Sequence, residues 1–237
     1  MDKRYITRRQ RILKNFQQKS MVPDSVREDL SPSGKYKIES SNYAKGNRDW
    51  GYSRGIVTRV TDNKIIADVI RNIGHFWHSW VNLPGKDEYL LCGEDYQGYT
   101  IVNLTRGETK VYFPEEGYRG GGFCWTNVFP SPDGKILAVD GCFWAAPYDL
   151  VFFDFRDPSH LPFPEIDRVK NIDRTFGWIN NKQFEYTIEL EIRKSDGVPY
   201  DSLEKEEQEI LEKDYKLVGY RYETLTYERP ESSFDDL

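Results

Sequence analysis

From about residue 25 to residue 200 the chain is dominated by a period-two alternation of apolar and polar residues, the pattern of strands with one buried face. It is clearest where Phe184, Tyr186, Ile188, Leu190 and Ile192 alternate with Glu185, Thr187, Glu189, Glu191 and Arg193. That segment is predicted to be a strand with one apolar and one charged face. Further strands are predicted at 36–40, 55–61, 88–93, 99–104, 136–140, 149–155 and 216–227. Two pairs read directly as hairpins: 56–60 with 65–70 across Thr61-Asp62-Asn63-Lys64, and 99–104 with 109–113 across Thr105-Arg106-Gly107-Glu108. Helical spacing replaces the alternation in two places. Residues 3–17 place Tyr5, Ile6, Ile12, Leu13 and Phe16 on one broad face, and Val22-Pro23-Asp24 ends the segment. Residues 201–213 form a charged helix opened by a capping pair, Asp201 and Glu204, with Leu203, Ile210 and Leu211 along one side.

The strands are punctuated by a repeated turn. Ser31-Pro32-Ser33-Gly34-Lys35, Pro84-Gly85-Lys86 and Ser131-Pro132-Asp133-Gly134-Lys135 each lead directly into a strand, and Asn180-Asn181-Lys182 is a degenerate fourth copy. Pro sets φ at the start of such a turn, and Gly supplies the positive φ that closes it. Units of about fifty residues follow (25–72, 73–117, 118–168 and 169–228), a period that marks a repeat architecture. The run Ser131-Pro132-Asp133-Gly134-Lys135-Ile136-Leu137-Ala138-Val139 resembles the blade motif of TolB-like and WD-repeat β-propellers. Tyr99-Thr100-Ile101-Val102-Asn103-Leu104-Thr105-Arg106-Gly107 is similar to the third strand and turn of such blades. No unit opens with Gly-His or ends with Trp-Asp, as WD repeats do.

The expectation is therefore an all-β chain: a small propeller of about four blades over 23–228, with a helical insertion at 201–214 in the last blade. A basic helical arm precedes it at 1–22 and an acidic tail follows at 229–237. A five-bladed ring or a stacked β-sandwich would leave a similar strand pattern.

Composition adds a packed core and takes away some functions. Six Trp, sixteen Tyr and thirteen Phe are an aromatic load that a disordered chain does not carry. The longest apolar run, Cys142 to Ala146, is far too short for a membrane-spanning helix. The net charge of −6 is unevenly placed. Residues 1–20 hold seven bases and one acid, so the remaining body is more acidic than the total suggests. An acidic body disfavours a general nucleic-acid surface. The basic arm suits RNA, an anionic lipid, or the acidic surface of its own body. Cys92, Cys124 and Cys142 are too few for a disulfide framework, which points to buried thiols in a reducing, cytoplasmic setting.

Candidate chemistry gathers in a few segments, each with a structural reading beside it. His75 and His78 are three apart, a spacing that serves a metal only on a helical turn. No metal site or cofactor is expected. Glu94 and Asp95 stand at one strand end and Asp140 at its repeat equivalent, where paired carboxylates act as acid and base in a hydrolase. Turns collect the same residues for conformational reasons. Trp80, Trp125 and Trp178 each begin a Trp-x-Asn triplet, suited to ringing a sugar or peptide, or to packing between blades. The Gly120-Gly121-Gly122 loop lacks the Gly-Lys-Ser/Thr ending of a phosphate loop and precedes a strand. The leading functional expectation is a non-catalytic module that binds a protein partner through its loop face. His75, Trp77, His78, Trp80, Tyr96, Tyr99, Arg119, Trp125 and Trp144 are the contact candidates. A small-molecule or carbohydrate binder or hydrolase using Glu94, Asp95 and Asp140 is the alternative. An acidic inhibitor or immunity-type protein is the third.

Overall fold

A computed structural model describes residues 2–46, 49–83, 87–144 and 147–229. The Pro84-Gly85-Lys86 turn and all of the acidic tail beyond Arg229 lie outside the described residues. The described strands form three antiparallel sheets. The first is a meander of β1 (Arg27–Leu30), β2 (Tyr36–Tyr43), β3 (Tyr52–Arg59) and β4 (Ile65–Arg71). The second repeats it with β5 (His78–Asn82), β6 (Glu88–Cys92), β7 (Tyr99–Asn103) and β8 (Glu108–Tyr112). The third begins in the same way with β9 (Cys124–Pro130), β10 (Ile136–Cys142), β11 (Tyr148–Asp154) and β12 (Glu165–Trp178). It then continues into β13 (Gln183–Arg193) and β14 (Val218–Glu228).

The shared turn explains the repeated geometry. Gly34 and Gly134 both adopt positive φ, +71° and +66°, and each donates its N–H to the carbonyl of Ser31 or Ser131 at 2.8 Å. The hydroxyls of those serines accept the N–H groups of Tyr36 and Ile136, which start the next strand at a fixed angle. A side chain at either glycine would carry a positive φ that L-residues rarely adopt.

The sheets stack face to face, which explains where the alternation fades. In β6, Leu90 and Cys92 pack toward Ile38, Val57 and Val69 of the first sheet, whereas Leu91 packs toward Leu137, Val139 and Val151 of the third. A strand covered on both faces reads as a continuous apolar run, as Tyr89-Leu90-Leu91-Cys92 does. The same holds for β10, all seven residues of which are buried.

The fourth repeat does not form a sheet of its own, which corrects the four-blade expectation. β12 is fourteen residues long, with two register shifts in its pairing with β11 and two in its pairing with β13. Its first part pairs with β11 up to Ile172, and its second part pairs with β13 from Ile172 onward. The sheet thereby bends back across its own outer face. Phe184, Tyr186 and Tyr227 cover Ile136, Ala138, Leu150 and Phe152, with Phe152 and Tyr227 stacked at 3.7 Å. The Trp178 indole donates to the Phe129 carbonyl at 2.8 Å and ties β12 to β9. The outer face of the third sheet is closed by the chain's own hairpin, burying side chains each worth about 1.5–3 kcal/mol.

Two helices complete the description. α1 (Lys3–Leu13) ends four residues before the expected boundary, and Phe16 lies beyond it against Tyr43 and Tyr52. Its inward face is not the predicted apolar stripe: Ile6 and Leu13 are exposed, and Tyr5 is the buried residue. α2 (Lys205–Lys213) is capped by Glu204 with Glu207 rather than by Asp201, and Leu211 is buried while Ile210 is exposed.

Candidate functional site

The loops joining the second and third strands of each meander meet on one surface. Trp50 comes from the β2–β3 loop, Tyr96 from β6–β7 and Trp144 from β10–β11. Their rings form a continuous row, with centroids 6.2 Å apart for Trp50 and Tyr96 and 5.1 Å for Tyr96 and Trp144. Trp50 is 49% exposed and Trp144 is 57% exposed. Trp144 has φ +59°, a conformation uncommon for a bulky L-residue, so backbone strain accompanies the outward placement of its ring.

Asn72, just past the end of β4, assembles the row. Its carbonyl accepts the Trp50 indole N–H, its side-chain oxygen accepts the Tyr96 N–H at 3.0 Å, and its amide donates to Asp95 at 2.7 Å. Its own N–H donates to the Glu94 carbonyl at 3.0 Å. Asp95 also accepts the Gln97 N–H at 3.1 Å, a local turn that sends the chain into β7. Gly98 closes this turn, because a Cβ there would meet the Tyr112 carbonyl at 2.4 Å.

Beneath the loop the acids are covered. Glu94 is 7% exposed and Asp95 is 2% exposed, because α1 lies over them. Arg8 Nε donates to Asp95 at 2.7 Å, Arg9 Nε to Glu94 at 3.0 Å, and the Tyr5 hydroxyl to Glu94 at 2.8 Å. Burial, with Glu94 beside it, pushes the Tyr5 phenol well above its ordinary pKa, so it stays a donor. Arg4 reaches Glu115 at 2.7 Å on the surface, and Arg8 also sits 5.2 Å from the Phe113 ring centroid. Among the three surfaces open to the basic arm, the geometry shows contact with the protein's own acidic body. Arg71 is buried nearby, its guanidinium pulled down to about 10 by burial, and its Nε has no hydrogen-bond partner among the described residues. Burial pushes the thiols of Cys92 and Cys124 up to about 12 and about 11. Both are therefore protonated at neutral pH.

The acid pair and its repeat equivalent have different hydrogen-bond partners. Asp140 is 4% exposed and takes hydrogen bonds from Thr126, Asn127 and Thr175 inside the third sheet. Glu94 and Asp95 face α1 instead. Each of the three carboxylates named for the hydrolase alternative is thus buried and hydrogen-bonded within the fold.

The other candidates scatter. His75 is exposed in the β4–β5 connection, while His78 lies on β5, so the pair has no helical turn to bring it together. His78 and Trp80 both contact Asp29 of β1, at 3.0 and 2.7 Å, and join the first sheet to the second. Trp77 packs edge-on against Trp125 between the second and third sheets. The three Trp-x-Asn triplets fall in different packing clusters: Trp80 against the first, Trp125 in the second, Trp178 against the third. Arg119 is exposed at the end of a 3-10 turn, Glu115–Arg119.

Tyr99 and Trp125 are brought together, with centroids 4.3 Å apart and rings stacked. They stand at a cleft of about 530 Å³ between the second and third sheets, with Tyr112, Phe123 and Phe163 in its walls. The Phe163 N–H donates to the Tyr99 hydroxyl at 2.7 Å. The glycine loop forms one lip, where Gly122 donates to Gln97 at 3.0 Å. Sequence reasoning passed over Trp50, Asn72 and this cleft. Trp50 carried one available signal, an unpaired tryptophan in a polar loop, whereas Asn72 carried none.

Fold and site together define an all-β protein of stacked antiparallel sheets with an aromatic loop face and a docked basic helix. No protein-family model matches the chain. It belongs to the same family as Uncharacterized protein R762 of Acanthamoeba polyphaga mimivirus, to which it is 36% identical over 190 residues, 77% of this chain and 74% of the relative. Solved structures with some likeness include the β-propeller domain of Myceliophteria thermophila Cps50 (Swd1), at 12% identity and TM-score 0.41, covering 67% of this chain and 48% of that one. A eukaryotic initiation factor follows at 10% identity and TM-score 0.32, covering 87% of this chain and 58% of that one. The chain spans about half the length of these two structures. No helix among the described residues is long and apolar enough to cross a membrane.

Proposed function

We propose that this protein is a non-catalytic interaction module of β-propeller type, working in a reducing cytoplasmic setting, that engages a protein partner through the row Trp50–Tyr96–Trp144. The single observation that carries this reading is the row itself. Three successive meanders each contribute one ring from the equivalent loop, and two of the rings are about half exposed. Aromatic residues on a rigid scaffold are the side chains that most often dominate binding energy at protein interfaces. Asn72 holds two of the three rings, Trp50 and Tyr96, in place before any partner arrives, which lowers the ordering cost of binding. The repeated Ser-Pro-x-Gly-Lys turn with its identical hydrogen bonding supports the propeller-type comparison.

The test is affinity capture with the full chain against a Trp50→Ala, Tyr96→Ala, Trp144→Ala variant. A Tyr220→Ala, Tyr222→Ala variant, altered on the distant β14 ribbon, is the control. A partner of this face is retained by the wild type and the control and lost by the triple variant. Equal retention by all three overturns the assignment.

A further inference from the structure

The cleft between the second and third sheets is separate from the loop-face row and has a distinct chemistry. Its volume, about 530 Å³, lies in the range of small-ligand sites. Its walls are aromatic, with Tyr99, Tyr112, Trp125 and Phe163 among them, and its charged residues are Glu116, Glu165 and Arg168.

The charges do not balance. Arg168 is already committed to two carboxylates, Glu165 at 2.8 Å and Asp149 at 3.0 Å, so that end of the cleft is net negative. At the other lip Glu116 receives no hydrogen bond or ion pair on its carboxylate from any described residue. It lies close enough to Tyr112 that its charge adds to burial in pushing that phenol up. An anion entering here would meet uncompensated carboxylates. A compact, strongly hydrated metal ion would find rings where it needs oxygen ligands.

Aromatic faces attract cations through the ring quadrupole. The cleft already displays this: the Arg168 guanidinium sits 5.2 Å from the Phe123 centroid and 5.3 Å from that of Phe143. We propose that the cleft is a binding site for an organic cation of the alkylammonium class, whose apolar body lies among the aromatic walls and whose charge faces Glu116. Such a cation has two sources, a free small molecule or a methylated lysine side chain on a peptide.

Calorimetric titration of the full chain tests the proposal, with choline as the charged probe and 3,3-dimethyl-1-butanol as its neutral isostere. Choline binds saturably, and the isostere binds roughly tenfold more weakly or worse. Glu116→Gln weakens choline by roughly fivefold or more while leaving the isostere and the thermal midpoint unchanged. Tyr112→Leu weakens choline as well. A short peptide carrying trimethyllysine, set against its unmethylated form, separates the sources. Tighter binding than choline that requires the methyl groups assigns a peptide ligand; weaker binding assigns a free small molecule. No saturable choline binding, equal binding of choline and the isostere, or an unchanged choline affinity in Glu116→Gln overturns the proposal. None of these variants alters Trp50, Tyr96 or Trp144, so failure here is distinguishable from failure of the loop-face reading.

Discussion

The Asn72 amide donates to Asp95 Oδ2 at 2.7 Å, and both residues are almost fully buried. Through this bond the end of the first sheet is fastened to the β6–β7 loop of the second. The same Asn72 holds Trp50 by its carbonyl and Tyr96 by its side-chain oxygen. Packing, the acid pair and two rings of the aromatic row therefore meet at one residue, the Trp50 bond through its main chain and the Tyr96 and Asp95 bonds through its side chain.

Replacing it should show both roles. Asn72→Ala leaves buried Asp95 one donor short and frees the Tyr96 N–H, a loss of about 1–3 kcal/mol in urea unfolding. Partner capture should fall under conditions where the variant remains folded. An unchanged denaturation midpoint would remove Asn72 from this position in the scheme.

The docked helix offers a contrast between buried and exposed ion pairs. Arg8 meets an acid that is 2% exposed, whereas Arg4 and Glu115 are both open to solvent. Arg8→Ala is expected to cost about 1–3 kcal/mol, because it strips a hydrogen-bonded charge from a buried carboxylate. Arg4→Ala should cost clearly less than Arg8→Ala, because its pairs are exposed to solvent. Raising the salt concentration should leave the cost of Arg8→Ala largely intact, since buried pairs are weakly screened. Equal costs for the two variants would mean that α1 is not seated on Asp95 as described.

Glu88 gives a pH dependence of known sign. Burial raises its pKa, but hydrogen bonds from Lys35 at 2.7 Å and Ser33 at 2.6 Å outweigh that and hold it below its ordinary value of 4.5. A carboxylate depressed in the folded state stabilises fully above its unfolded pKa and loses that contribution as pH falls through the folded value. The stability difference between wild type and Glu88→Gln should therefore be constant near neutrality and shrink below about pH 4.5. Urea unfolding at several pH values measures it. A difference that grows on acidification would contradict the Lys35–Glu88 link between the first and second sheets.

Local patterning marked the strands that alternate and the turns that divide them. β2, β3, β10 and β13 were legible because each has a face whose burial imposes period two, or a Pro-Gly turn at its start, whereas β7 and β11, buried on both faces, were legible as apolar runs. The short first strands were not. β1 is Arg-Glu-Asp-Leu, exposed throughout, and it pairs only because β2 lies beside it. The count of sheets was likewise decided by tertiary structure. Nothing local in 165–178 says that one long strand pairs with β11 at its start and β13 at its end, and that choice makes the fourth repeat a cover for the third sheet. The site follows the same division. Glu94 and Asp95 stood out as paired acids, but burial beneath Arg8 and Arg9 depends on residues more than eighty positions away. Tyr96 and Trp144 were readable as exposed aromatics in loops, whereas their alignment with Trp50 required three sheets to stack. Side-chain periodicity is a local property of the chain; which strand edges and loops become neighbours is set by hydrogen bonding and packing between distant segments.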